Sequence, residues 1–349
     1  MDFRPLGLTG TQVTSLCLGT MTFGKETAEE DAHAILDRYV EAGGNFIDTA
    51  DVYQTGEAEE FIGRWLGKRG RDDLVLATKV RFPMGDDPNE AGLSRRWITQ
   101  AVDNSLRRLN TDYIDLYQAH CWDPLTPLEE TLAAFDDLVR MGKVRYIGVS
   151  NFTGWQLQQA ALLAQVNGQA PIVTLQPQYN LLAREIEWEL VELCLEEGIG
   201  MLPWSPLGGG WLTGKYQRDE RPTGDTRLGV DPERGVEAYN KRNAERTWGV
   251  LDVIDKIVAD HNGGADSAGP QKSGRVSHGQ VAINWVTNRP GVSSTILGVR
   301  TMEQLEDNLA STSWQLSDDE VAALDEATDP GKPEYPYRFI DEMTESRRI

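Results

Sequence analysis

Short apolar runs recur along this chain, and nearly every one is followed by a segment with helical spacing. The runs lie at 16–20, 45–48, 74–78, 113–117, 144–149, 172–175 and 199–202. Between them lie helical patterns at 28–42, 57–68, 94–109, 127–141, 153–165 and 184–197. Ala32, Ile35, Leu36, Tyr39 and Val40 show the helical type, with apolar residues returning every three or four positions. Runs this short and apolar, separated by helices, predict a parallel sheet covered on its outer side. An eighth run follows at 294–297, with helices expected near 278–288 and 301–310. Eight such units predict a closed (β/α)8 barrel of the TIM type. The competing fold is a doubly wound open sheet. No G-x-G-x-x-G turn follows the first run, which argues against it.

Residues 2–16 alternate weakly around Gly7-Leu8-Thr9-Gly10, which predicts a β-hairpin ahead of the barrel. Ser317 opens an extra C-terminal helix at 317–327. The length of 349 residues suits one barrel, so residues 1–349 are expected to form a single domain. Two stretches break the alternation. Residues 206–234, rich in Gly, Pro, Asp and Arg, follow the seventh run and are expected to form a loop over the active face. Residues 261–277 have no apolar period and read as a flexible surface insertion. The tail at 330–349 is expected to pack across the surface or fray.

Composition excludes several functions. No run approaches the roughly 20 apolar residues of a membrane span, and the N-terminus lacks the basic and apolar regions of a signal peptide. Cys17, Cys121 and Cys194 are scattered and odd in number, with no metal-ligand spacing. A cytoplasmic location follows from these signs. The net charge of −21 repels nucleic acid and acidic lipid. That charge fits either an ordinary solvated acidic surface or a salt-adapted, halophilic one. No metal is expected, because the four histidines (His33, His120, His261 and His278) are spread along the chain.

In a parallel barrel the C-terminal strand ends build the site. Asp48 ends the second strand, Tyr53 lies in the loop beyond it, Lys79 ends the third and His120 the fourth. Neighbouring strands are about 5 Å apart, so the four can converge. A phenol titrates near 10, too high for efficient acid–base work at neutrality. A nearby ammonium favours the phenolate and is expected to lower that value. A buried lysine needs an anion, which Asp48 can supply. A histidine can donate to a carbonyl oxygen. The set suits protonation of a carbonyl oxygen as hydride reaches carbon. Taken alone, Asp48 with Lys79 could equally be a structural ion pair, and Tyr53 or His120 ordinary packing.

At these residues the chain resembles the aldo-keto reductase superfamily. F-I-D-T-A-D-V-Y with Gly56-Glu57, V-L-A-T-K ending at Lys79 and D-L-Y-Q-A-H ending at His120 match its catalytic segments. The resemblance implies that Tyr53 is the general acid, that Asp48 and Lys79 tune it, and that His120 orients the carbonyl. G-V-S-N-F places Ser150 and Asn151 at the nicotinamide carboxamide, and Q-P-Q-Y-N places Gln176 beside the ring. W-S-P-L-G-G-G through L-T-G-K implies cofactor contacts from Trp204, Ser205, Pro206, Leu207, Gly209 and Lys215. The last segment implies contacts at the adenosine end from Gly298, Arg300, Gln304, Asp307 and Asn308. Arg227 is a further candidate for the cofactor phosphates.

The implied cofactor is NADPH or NADP. Arg300 opens a helix, where amides and a guanidinium can hold a 2′-phosphate. If Arg300 is merely exposed there, NAD is the alternative. The implied substrate is a small carbonyl compound or alcohol, lined by Met21, Phe23, Phe82, Trp122, Trp211 and Tyr216. The assembly is expected to be a monomer or homo-oligomer. The chain looks most like the bacterial and potassium-channel β-subunit-like branch, so a cofactor-binding regulatory subunit is the second reading. A barrel hydrolase or isomerase would need a metal or acid pair that the sequence does not offer.

Overall fold

A computed structural model describes residues 1–218, 220–224, 226–263 and 274–345. A hairpin of β1 (Phe3–Pro5) and β2 (Gln12–Thr14) precedes the main sheet. Eight parallel strands follow: β3 (Leu16–Gly19), β4 (Phe46–Asp48), β5 (Val75–Val80), β6 (Ile114–Ala119), β7 (Val144–Ser150), β8 (Ile172–Gln176), β9 (Gly200–Met201) and β10 (Thr295–Gly298). Their order is β10-β3-β4-β5-β6-β7-β8-β9. The ring closes where Ser293 N donates to Met201 O and Ile296 N to Pro203 O, both at 2.9 Å. The fold is a (β/α)8 barrel, as the alternation predicts.

Helices sheathe the strands. Glu29–Glu41, Glu57–Arg69, Arg95–Arg108, Leu128–Arg140 and Gly154–Val166 follow the first five barrel strands. Their starts carry local signals: the Ser94 side chain accepts from Trp97 N, and Thr153 forms a capping box with Gln156. The helix expected over 184–197 is broken. A 3-10 turn (Glu185–Trp188) is separated from Leu190–Glu197 by Glu189, whose backbone leaves the helical region at φ −145°, ψ −49°. Just before the turn, buried Arg184 ties this segment to the C-terminal helix, its guanidinium donating to Glu187, Thr328 Oγ1 and the Asp325 carbonyl.

Within the barrel, side chains of period two face inward. The lower half is apolar: Cys17, Phe46, Val75, Ala77, Leu116, Val173, Leu202 and Ile296 pack together. Leu6 and Val13 of the hairpin join them and plug the N-terminal mouth. The same period carries Phe46 to Asp48, Ala77 to Lys79 and Leu116 to Gln118. Asp48, Lys79 and Gln118 therefore stand in the layer above these apolar side chains.

A second core lies outside the ring. Trp211, Leu212, Tyr216 and Leu228 of the 206–234 stretch pack with Trp248, Ile254 and Trp285 of the helices Glu245–His261 and His278–Thr287. The stretch thus contains ordered turns, Gly208–Thr213 and Arg227–Val230. The insertion expected at 261–277 lies mostly outside the described residues; what is described runs to 263 and resumes at 274. The helix Asp318–Thr328 begins with a Ser317–Glu320 capping box. The tail packs back through Tyr337, whose hydroxyl donates to Glu189 at 2.7 Å.

Candidate active site

The polar upper layer of the barrel is one connected network. Lys79 is fully buried, and its Nζ donates to Asp48 Oδ1 at 2.5 Å, to the Thr49 carbonyl at 2.8 Å and to Tyr53 Oη at 3.3 Å. The other Asp48 oxygen accepts from Gln118 Nε2 at 3.2 Å and Gln176 Nε2 at 3.0 Å. Asp48, Lys79, Gln118 and Gln176 come from four different strands, β4, β5, β6 and β8, so only the folded sheet assembles them. Half-buried Tyr53 and His120 face each other edge to face at 5.9 Å, and Phe82 packs on His120 at 4.6 Å.

The electrostatics correct one expectation. Burial pushes the Tyr53 phenol above its usual 10, and Lys79 pulls it down without prevailing. The ammonium spends much of its field on Asp48, which itself opposes phenolate formation. Burial also works against the charge on Lys79, but Asp48 and Tyr53 outweigh it and hold the ammonium above its ordinary range. Burial, then Lys79 and Arg81, press His120 well below 6.5, so its imidazole is neutral at pH 7. Its Nδ1 is buried without a hydrogen-bonding partner.

The next strand ends interlock. Ser150 Oγ donates to the Gln176 carbonyl at 2.8 Å. Asn151 Nδ2 donates to the His120 carbonyl and to Ser150 Oγ, both at 2.9 Å. Trp204 Nε1 donates to Asn151 Oδ1 at 3.2 Å. Asn151 and Ser205 adopt left-handed backbone (φ 56° and 58°), as do Gln54 and Thr55 beside Tyr53. Four non-glycine residues held in that region around one face mark a site where geometry outranks backbone comfort. The Ser205 hydroxyl accepts from Gly209 N at 3.2 Å and begins the turn that carries buried Pro206, half-buried Leu207 and Gly209. Gly209 is at φ 66°, and a Cβ there would strike Glu237.

Beyond that turn lies a group of cations. The end of the Lys215 side chain rests against Gly210. Burial of the ammonium, with Arg300 and Arg227 nearby, lowers it to about 8. Arg227 Nε is buried without a partner. Arg234 pairs with Glu26 at 2.8 Å. The orphaned Arg227 N–H and mutually repelling cations suit a polyanion, so the donor set fits a phosphorylated dinucleotide.

Around Arg300, Gly298 ends β10 and Gln304 Oε1 accepts from the Arg300 amide at 2.9 Å. The Asp307 carboxylate accepts from Ser277 Oγ and Gln280 Nε2, both at 2.8 Å, and ties two helices together. Asn308 is buried on the same helix.

The expected aromatic lining is only partly brought together. Phe82 touches His120, Trp122 packs on Phe152 and Trp155, and Met21 is exposed. Phe23 belongs instead to the main core, and Trp211 and Tyr216 to the second one. Their rings pack into these clusters because the stretches fold as packed turns, while the Tyr216 hydroxyl accepts from Leu228 N at 3.4 Å. Sequence reasoning missed Gln118, although its place two residues before His120 puts it on the inward face. It also missed Asp51, 1% exposed, which burial with Glu59 beside it pushes up to about 8 against Val52 N–H, Arg108 and Lys79. Glu26 and Arg234 were missed too, having no local motif.

Comparison with known proteins agrees with this arrangement. Residues 15–329 match the model of the aldo/keto reductase family. The chain is 37% identical to the uncharacterized oxidoreductase YrpG of Bacillus subtilis, over 93% of this chain and 95% of that protein. It is 36% identical to protein tas of Escherichia coli, over 93% and 97%. It is also 36% identical to a probable voltage-gated potassium channel subunit beta of Arabidopsis thaliana, over 88% and 90%. With a barrel that gathers Asp48, Tyr53, Lys79 and His120 at one mouth and a family match across nearly its whole length, this chain belongs to the aldo/keto reductase family.

Proposed function

We propose that this chain is a single-domain, cytoplasmic, NADP-dependent reductase of small aldehydes or ketones, working reversibly. The observation that carries the reading is the Lys79 ammonium bridging Asp48 and Tyr53 at the barrel mouth. Bound nicotinamide would exchange hydride with the carbonyl carbon. Tyr53 delivers the proton to the carbonyl oxygen, and Lys79 takes up the growing phenolate charge through the contact it already makes. Asp48 keeps Lys79 charged and in place. Neutral His120 donates an N–H to the carbonyl oxygen and orients it. Alcohol oxidation uses the same groups in reverse.

Ser150, Asn151 and Gln176 hold the carboxamide side of the nicotinamide. Trp204, Ser205, Pro206, Leu207 and Gly209 border the pyrophosphate, with Lys215 and Arg227 supplying charge. Gly298, Arg300, Gln304 and Asn308 border the adenosine end. Asp307 acts there by holding its helix in place.

A screen of NADPH oxidation across carbonyl substrates, at low and high salt because of the −21 net charge, tests the reading. Turnover with at least one aldehyde or ketone is expected, and its loss in Tyr53→Phe ties it to this site. The kinship with a potassium channel subunit supports a second reading, a cofactor-binding regulatory subunit. Tight NADPH binding with no turnover across the screen would favour that reading instead.

A further inference from the structure

Four cations, Lys215, Arg227, Arg234 and Arg300, influence one another at the adenosine end of the proposed cofactor cleft. Among the described residues two carboxylates, Glu26 and Glu237, lie near them, and Glu237 is committed elsewhere. Glu237 is engaged by Arg242 at 2.7 Å and by Gln178. Glu26 is different: its Oε1 is 2.8 Å from Arg234 and 3.7 Å from Arg300, and its Oε2 is buried with no hydrogen-bonding partner.

The placement of Glu26 is not accidental slack in a loop. Its amide donates to the Thr22 carbonyl at 3.0 Å. The hydroxyls of Thr22 and Thr27, on either side, donate to the carbonyls of Val299 at 2.6 Å and Arg300 at 3.3 Å. The turn is therefore lashed to the Arg300 segment, and the carboxylate is held between the guanidinium groups of two distant segments. A carboxylate with one oxygen in use and one orphaned is a poor fit there. A phosphate dianion, with more charge and three acceptor oxygens, is a better one.

We infer that Glu26 is a place-holding counter-ion that a phosphate at the adenosine end must displace, making it a determinant of cofactor affinity and selectivity. This rests on the dinucleotide reading above. With Glu26 in place, Arg234 and Arg300 are partly neutralised, so any anion that enters must outcompete a tethered carboxylate. A 2′-phosphate does so, whereas a bare ribose hydroxyl cannot. Glu26 thus lowers the affinity for the phosphorylated cofactor and narrows its margin over the unphosphorylated one.

The test is direct binding, with no turnover involved. Adenosine 2′,5′-bisphosphate and adenosine 5′-monophosphate are titrated calorimetrically into the unaltered chain, Glu26→Gln and Glu26→Ala. Both variants should bind the bisphosphate about five-fold more tightly, as expected for loss of one partly exposed competing charge. The monophosphate should change less, and high salt should shrink the gain. Equal or weaker bisphosphate binding in the two variants would overturn the inference and make Glu26 a positioning residue for the arginines. If the unaltered chain binds neither nucleotide, the cofactor reading falls and the role of Glu26 falls with it.

Discussion

Lys79 and Asp48 form an ion pair of 2.5 Å in the barrel interior, with side chains 0% and 2% exposed. Neither has water to turn to if the other is lost. Asp48→Asn or Lys79→Met alone should therefore destabilise the fold by about 3–5 kcal/mol. The double variant should cost less than the sum of the two, since it leaves no stranded charge. Denaturant titration of the three variants checks this; strictly additive costs would show that the pair is not coupled.

Tyr53→Phe removes only the hydroxyl that meets Lys79 at 3.3 Å. Carbonyl reduction should fall by at least about 10²-fold, the typical share of a positioned general acid. Dinucleotide binding and the melting temperature should barely move. Activity within two-fold of the unaltered chain would remove Tyr53 from the chemistry.

Arg300→Ala should weaken NADPH by roughly ten-fold or more, the worth of a charge-assisted hydrogen bond, and leave NADH almost unchanged. Equilibrium titration with both cofactors decides the matter. Equal losses would point to a role in holding the helix Met302–Ala310 rather than in reading a 2′-phosphate.

Asp51 ties stability to pH. Burial, with Glu59 beside it, raises its carboxyl from 3.8 to about 8, so the folded chain keeps a proton that the unfolded chain has released. Stability from this group is intact below pH 4, falls as pH rises, and levels off above about pH 8. Asp51→Asn mimics the protonated form and should match the unaltered chain at pH 4. By pH 8 it should be more stable by on the order of a few kcal/mol. Urea titrations at the two pH values give the difference, and a pH-independent gap would refute the assignment.

The family resemblance also left its mark on Asp307. Its motif position groups it with Arg300 and Gln304, and its carboxylate accepts from Ser277 and Gln280. A motif carries the spacing of residues along a helix but not which neighbour each one finds. Phe23, Trp211 and Tyr216 belong to packed clusters where a pocket lining was expected. Large aromatic rings near strand ends serve a core or a cleft equally well, and only the path of the surrounding turns decides.

What the sequence determined by itself was periodic and local. The eight-fold alternation followed from short apolar runs and helical spacing. The inward face of each strand followed from period two, which put Asp48 and Lys79 above Phe46 and Ala77. Tertiary structure decided what depends on closing the ring and on long-range charge. It joined Gln118 and Gln176 to Asp48, and it buried Tyr53 enough to raise its phenol despite Lys79. It also brought Glu26 to Arg234 across 208 positions of chain. Backbone periodicity is a property of neighbours in sequence, whereas desolvation and Coulomb interactions depend on distance in space, which emerges only once the barrel has closed.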